Sequence, residues 1–251
     1  MPTRRNGFWS AVKVRRRDLA SEPVPDGGDL RVFDVDAALR INEARSAAIA
    51  SLGLDFGNKS VLDVGSGPGH FVRFYSSRGC TVTAVDGRAD NVDALRQRYP
   101  HIRAVVADVQ SFDLSALGRF DIVHCLGLLY HLENPLAALR NVARVCDGVL
   151  LLETIVLDSQ GPLLAIEDEP KTVNQALGGI GSRPTPAFVA MALNRVGFGW
   201  VYGFAEPPDH EDFQFEWTGD GTYQRDGHPL RCMFAASAAP LADARLVPLL
   251  I

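Results

Sequence analysis

The chain has 251 residues, 47% hydrophobic and 22% charged, with a formal net charge of −5, the composition of an ordinary globular protein of one or two domains. No apolar run approaches the ~20 residues that cross a bilayer, which excludes an integral helical membrane protein. Cys80, Cys125, Cys146 and Cys232 have neither the spacing nor the histidine neighbours of a zinc site, and four scattered thiols make no disulfide scaffold, so a cytoplasmic setting is expected.

Charge is unevenly spread. Residues 1–18 hold Arg4, Arg5, Lys13, Arg15, Arg16 and Arg17 against Asp18, a +5 head that leaves −10 on the rest of the chain. Phe8, Trp9, Val12 and Val14 interleave with these basic residues, so the head reads either as a solvated terminus or as an arm for an anionic surface. No apolar stretch of signal-peptide length follows it, and export is not expected. A body at −10 repels polyanions, which argues against nucleic acid as the substrate.

Residues 19–30, rich in Pro, Gly and acid, read as a linker. Over 36–52, Ala38, Leu39, Ile41, Ala44, Ala48 and Ile49 fall on one face of a helix. A regular alternation then begins. Strands are predicted over 61–64, 81–85, 102–106 and 120–126. Between them lie helices carrying Phe71, Val72, Phe74 and Tyr75, ended by Gly79, and then Val92, Leu95 and Tyr99. Asn134-Pro135 pairs a capping residue with proline at the first helical position, ahead of the stripe Leu136, Leu139, Val142 and Val145. Residues 149–156 are apolar at nearly every position, as in a strand buried on both faces. Thr185-Pro186 repeats the cap-plus-proline signal before Phe188, Met191, Ala192 and Val196, and Gly197 ends that helix. Strands over 200–205 and 232–236 complete the pattern, that of an α/β fold with a parallel sheet covered by helices on both faces.

Two stretches break the alternation, 157–183 and 207–230. Connections this long are usually functional walls or lids, and Phe213, Phe215, Trp217 and Tyr223 make the second too aromatic for a disordered segment. A single domain over 31–240 is expected, with 241–251 as a tail.

The most informative run is Val61-Leu-Asp63-Val-Gly65-Ser-Gly67-Pro-Gly69-His70-Phe71. A strand runs into three glycines at alternate positions, where the backbone turns sharply and a ligand lies against bare peptide. His70 stands where a dinucleotide fingerprint needs glycine or alanine, and no Gly-Lys-Ser/Thr triplet follows as in a P-loop. The Asp63 carboxylate suits a cationic ligand and would repel a pyrophosphate. Asp86 ends the second strand, where an acid can accept ribose hydroxyls, and Asp108 ends the third, either beside an adenine amino group or as a turn cap.

Asp63-x-Gly65-x-Gly67-x-Gly69, Asp86, Ala107-Asp108-Val109 and Phe120-Asp121-Ile-Val together resemble, in order and spacing, the successive motifs of class I S-adenosylmethionine-dependent methyltransferases. The resemblance covers residues 59–152 strongly. It implies a Rossmann-like, seven-stranded, mostly parallel sheet with an antiparallel last strand, and S-adenosylmethionine as cofactor. It further implies that the glycine loop cradles the methionine part of the donor, Asp63 its amino group, Asp86 the ribose, and Asp108 with the Val109 backbone the adenine. Leu126, the last residue of the fourth strand, is counted with that site.

Leu126-Gly-Leu-Leu-Tyr130-His131-Leu-Glu-Asn134-Pro135 leaves the fourth strand where donor and acceptor should meet. It departs from the Asn/Asp-Pro-Pro-Tyr signature of enzymes that methylate exocyclic amines. Instead it resembles the Gly-x-Leu-Tyr-His-x-x-x-Pro segment of a subgroup that includes tRNA wobble-uridine carboxymethyltransferases, a segment many small-molecule methyltransferases also carry. Methyl displacement from a sulfonium needs mainly positioning. A hydroxyl acceptor also needs a base, and imidazoles ordinarily titrate near pH 6.5, which makes His131 the candidate, or else a structural histidine. Tyr130 could orient donor or acceptor. Glu153, ending the fifth strand, could pair with His131, take a proton, or bind a backbone amide. His124 and Cys125 read as core.

Metal assistance would draw on His131, Glu133, Asp158, Glu167, Asp168 and Glu169, but acids on a loop are ordinarily solvated and no metal is expected. The sequence thus predicts methyl transfer to a small-molecule acceptor, foremost a hydroxyl of a sugar or secondary metabolite. The alternatives are a tRNA wobble-uridine (carboxy)methyltransferase, a donor-binding accessory pseudoenzyme, and an NAD-dependent oxidoreductase. A homodimer is compatible with the sequence.

Overall fold

The computed structural model describes residues 30–169 and 176–249. The basic head and nearly all of the linker lie outside the described residues. After a short 3-10 turn at Leu30–Phe33, the elements are α1 (Asp36–Ser51), β1 (Ser60–Val64), α2 (Val72–Ser76), β2 (Thr81–Asp86), α3 (Ala89–Arg98), β3 (Arg103–Val106), β4 (Phe120–Leu126), α4 (Pro135–Val145) and β5 (Cys146–Ile155). The chain continues with β6 (Leu164–Asp168), β7 (Ile180–Pro184), α5 (Pro186–Arg195), β8 (Trp200–Phe204), β9 (Gln224–Arg225), β10 (His228–Pro229), β11 (Arg231–Ser237) and β12 (Leu246–Pro248).

The main sheet runs β12-β8-β11-β5-β4-β1-β2-β3. Pairs from β3 through β5 are parallel, whereas β11 lies antiparallel between β5 and β8. Period-two alternation gives the central strands two buried faces. Leu62, Leu150 and Leu152 pack with Leu139 and Val142 of α4 and Leu193 of α5. Val61, Val149 and Leu151 face the other way, against Ile49 of α1, Tyr75 of α2 and Leu95 of α3. Both predicted caps form: Asn134 Oδ1 accepts from Ala137 N at 3.1 Å, and Thr185 Oγ1 from Phe188 N at 3.1 Å.

Several expectations are corrected. The sheet has eight strands, because residues assigned to a tail contribute β12, antiparallel to β8. A three-residue edge strand ending in Pro248 carries almost no strand signal, and proline is tolerated there because an edge N–H needs no partner. The stretch 157–183 contains the antiparallel hairpin β6–β7, and 207–230 folds into a 3-10 turn at Glu211–Phe213 and the small hairpin β9–β10. Asp158 stitches the two stretches together, accepting from Thr218 N, Gly219 N and Arg225 Nη2, each at 2.9 Å. On α1, Ala44 and Ile49 are buried as expected, but Leu39 is exposed.

The order of strands reverses between β1 and β4, and at their carboxyl ends a cavity of about 730 Å³ opens. Such switch points are where open α/β sheets take ligands.

Candidate active site

Beyond Val64, the chain turns through Gly65, Gly67 and Gly69 with φ of +75°, +51° and +90°. Side chains resist that region. At Gly65 a Cβ would also lie 2.8 Å from the Cβ of Leu128, so only glycine fits there. The loop hangs from the neighbouring strand: Gly65 N and Ser66 N donate to Val85 O, and Gly67 N donates to Asp86 Oδ2 at 2.9 Å. Asp86 Oδ1 accepts from Arg88 N at 2.8 Å and Asn91 Nδ2 at 3.1 Å. Three of the carboxylate's roughly four acceptor sites are therefore engaged in shaping the loop. Burial raises its pKa.

Asp63 lies on the cavity floor, 1% exposed, and its Oδ2 has no hydrogen-bond partner. Burial, with Asp86 nearby, pushes its pKa up to about 7. An unpartnered buried acceptor facing a cavity fits a ligand that brings a cation.

Asp108 and Val109 line the cavity's far end. Asp108 Oδ1 accepts from Gln110 N at 2.9 Å and so closes a turn, as the capping alternative had it. Val109 is buried and its carbonyl accepts from Asn141 Nδ2 at 2.8 Å. Leu126 is buried at the end of β4, after which Gly127, at φ +73°, turns the chain into the 3-10 turn Leu129–His131. Helix α1 roofs the same cavity with Ala37, Ala38, Ile41 and Arg45.

Elsewhere along the cavity, His131 Nδ1 lies 2.7 Å from Glu169 Oε2. Glu169 also accepts from Arg183 Nη2 at 2.9 Å and Ala176 N at 3.0 Å. Burial works to raise its pKa, but His131 and these donors outweigh it and hold the carboxyl down to about 2. An ionised Glu169 only accepts, so His131 Nδ1 donates the hydrogen bond between them.

Glu153 is fully buried and does not meet His131. Arg45 Nη2 donates to its Oε2 at 2.5 Å and Arg231 Nη1 to its Oε1 at 2.9 Å. Burial alone would raise its pKa, but the two guanidiniums overcome this and hold it below the ordinary value. A carboxylate gripped in this way is a brace and a poor proton acceptor, which corrects its assignment as a base.

Arg231 extends the brace. Its Nε donates to Asp212 at 3.0 Å, its Nη2 lies 3.5 Å from the Tyr130 hydroxyl, and its guanidinium sits 5.0 Å from the Tyr130 ring centroid. Asp212 in turn meets His228 Nδ1 at 3.2 Å. His131, backed by Glu169, and the His228–Asp212 pair therefore border one cavity, joined through Arg231, Tyr130 and Arg183. Glu169 entered the sequence reading only as a possible metal ligand, and Arg45, Arg183, Asp212, His228 and Arg231 did not enter it. No sequence motif marks them, because their partners lie 14 to 108 residues away and only the fold brings them together. Among the described residues, no group of three or more His, Cys, Asp or Glu side chains could hold a metal ion.

Comparison with known proteins identifies the family and the fold. Residues 38–201 match a family model described as a methyltransferase domain. A tRNA U34 carboxymethyltransferase of Dichelobacter nodosus is 34% identical over 152 residues, 58% of this chain and 47% of that one. A ubiquinone biosynthesis O-methyltransferase of Psychrobacter cryohalolentis is 31% identical over 136 residues, 49% of this chain and 50% of that one. The chain thus spans about half the length of these curated relatives. Among solved structures, the N-terminal domain of EvdMO1 with SAH bound superimposes with a TM-score of 0.61 at 20% identity, over 82% of this chain and 85% of that one. The 1,6-didemethyltoxoflavin-N1-methyltransferase of Burkholderia thailandensis gives a TM-score of 0.55 at 23% identity, over 83% and 81%.

Proposed function

This chain belongs to the class I methyltransferases that use S-adenosylmethionine as donor, and on that premise we propose that it methylates a hydroxyl of a small, uncharged acceptor, of the sugar or secondary-metabolite kind. The observation that carries the reading is the His131–Glu169 hydrogen bond, with His131 lining the same cavity as Gly65 and Gly67.

The cavity fits the donor. Its volume suits a nucleoside-sized ligand. Asp63 Oδ2 awaits a cation, as the donor's ammonium would supply, Asp86 keeps one acceptor site for a ribose hydroxyl, and Gly65 and Gly67 leave bare backbone for the methionine part, whereas Gly69 lies off the cavity against Leu95 and Tyr99. Asp108, Val109 and Leu126 would bound the adenosine. Bound S-adenosylmethionine supplies a methyl group activated on a sulfonium. The rest falls to the protein. His131 Nε2 takes the acceptor's hydroxyl proton as the oxygen attacks, while Glu169 fixes the ring and stabilises the imidazolium. Tyr130, pinned by Arg231, orients the acceptor.

Charge supports a neutral acceptor. Among the described residues, Arg45, Arg183 and Arg231 are matched by Glu153, Glu169 and Asp212, so these three guanidiniums are not left over for a phosphate. Transfer to the wobble uridine of tRNA is the second reading, favoured by the likeness to the Dichelobacter protein.

The test is transfer from methyl-labelled S-adenosylmethionine to a panel of sugars and phenols, with tRNA as a separate arm. His131→Ala should lower kcat by about 10²–10⁴-fold, the usual weight of a general base, with affinity for S-adenosylhomocysteine unchanged. Full activity of that variant would remove His131 as base. Labelling of tRNA alone would replace the first reading with the second.

A further inference from the structure

Beneath the candidate donor site lies a buried chain of polar groups that no step above uses. Tyr75 of α2 is fully buried, and its hydroxyl lies 2.7 Å from Nδ1 of His124 on β4. His124 is 1% exposed, and its Nε2 has no hydrogen-bond partner. That Nε2 lies 4.0 Å from Asp63 Oδ1, and Asp63 Oδ2 is unpartnered as well. Two orphaned polar atoms thus sit on adjacent strands, on side chains that both border the cavity.

The proton on the imidazole can be placed by elimination. With hydrogen on Nδ1, the Tyr75 hydroxyl would have no acceptor and the Nε2 lone pair would face the Asp63 oxygens. With hydrogen on Nε2, Tyr75 donates to Nδ1 and the Nε2–H faces Asp63. Only the second arrangement satisfies the buried tyrosine and avoids opposing lone pairs. Burial, with Arg45 nearby, lowers the His124 pKa to about 3, so the ring is neutral.

We propose that Tyr75 and His124 are positioning residues for the methyl donor: acting through Asp63, they hold a neutral imidazole N–H beside the carboxylate that must be ionised to bind the donor's ammonium group. About 1 Å of closure turns the 4.0 Å approach into a hydrogen bond. This rests on the reading of Asp63 as the ammonium site. The groups around Asp63 are Asp86 on β2, His124 and Cys125 on β4, Tyr75 on α2 and, facing His124, Arg45 on α1. Asp86 and burial favour the protonated acid, with which a cationic ligand competes. Donor binding should then release a proton from Asp63. Affinity is fully present above the raised pKa of about 7 and is lost as the pH falls below it, tenfold per unit.

Calorimetry of S-adenosylhomocysteine binding between pH 5.5 and 8, in buffers of different ionisation enthalpy, tests this. Wild type should release close to one proton at pH 6, with affinity falling below about pH 7. Asp63→Asn should bind at least tenfold more weakly at pH 8 and lose the pH dependence. Tyr75→Phe frees the imidazole tautomer and should move the fall to higher pH. If Asp63→Asn binds as wild type does, the ammonium-site reading fails. If Asp63→Asn weakens binding but the Tyr75→Phe profile superimposes on wild type, the positioning proposal alone fails. Nitrogen NMR of His124 in the wild-type protein is an independent check that needs no folded variant: protonated Nε2 is expected, and protonated Nδ1 overturns the proposal.

Discussion

On one side of the cavity, Asp108 bonds Gln110 two positions on, and Asp86 bonds Arg88, Asn91 and Gly67, all within 19 residues. On the other side, Glu153 is gripped by Arg45 and Arg231, 108 and 78 residues away, and His131 by Glu169, 38 residues away. The glycine-loop side is made of neighbours, and its geometry follows from a strand, a turn and the adjacent strand. The other set mixes near and distant partners. Glu169 takes Ala176 N and Arg183 from 7 and 14 residues away and Asp212 takes Arg231 from 19. The links to His131 and through Glu153, however, exist only after the sheet and both hairpins have come together. Buried charges assembled from distant segments stand or fall as a unit, because removing one leaves the others unmatched.

The largest expected effect tests that unit. Glu153→Ala leaves Arg45 and Arg231 buried against each other, and denaturant unfolding should show a loss of about 3–5 kcal/mol. A loss below about 1 kcal/mol would break the contrast, since the wall would then behave like a set of independent contacts.

Asp86→Ala comes next. Without its carboxylate, Gly67 N and Asn91 lose a buried acceptor, and S-adenosylhomocysteine binding should weaken by about 1–3 kcal/mol in calorimetry. Unchanged affinity would detach Asp86 from the donor site.

A smaller effect concerns Glu169, whose carboxyl is held from an ordinary 4.5 down to about 2. A depressed acid stabilises the fold above its unfolded pKa, and that contribution is lost as the pH falls from 4.5 toward 2. Acid titration of stability in wild type and Glu169→Gln should therefore show a steeper decline for wild type over that window. Parallel curves would mean that the pair with His131 adds no stability.

The smallest belongs to a purely local device. Asn134→Ala removes the α4 cap, and thermal or denaturant unfolding should register about 1 kcal/mol. The distance between this figure and that for Glu153 sharpens the contrast between local and assembled interactions.

The same contrast explains what could be read in advance. Asn134-Pro135 and Thr185-Pro186 marked their helices correctly because a cap depends on three or four consecutive residues. The run from Asp63 to Gly69 marked the loop because φ above zero and close approach demand glycine wherever they occur. Glu153 was misread for the opposite reason. At the end of a strand, beside an expected acceptor site, an acid looks like a base, and nothing near it in the chain announces Arg45 or Arg231. Glu169, in a stretch with several acids, looked like a solvated surface group until the pairing of β6 with β7 brought Ala176 N, Arg183 and His131 onto it.

By itself, the sequence determined the alternation of strands and helices, their caps, and the glycine loop with Asp63 and Asp86 beside it. Each depends on side-chain periodicity or on backbone demands that neighbouring residues express directly. Only the tertiary structure decided that His131 pairs with Glu169 rather than Glu153, that β12 joins the sheet edge, and that His124 faces Asp63. Those contacts depend on strand register and on which loops fold back over the cavity, and a buried charge or lone pair takes its meaning from whatever the completed fold sets opposite it.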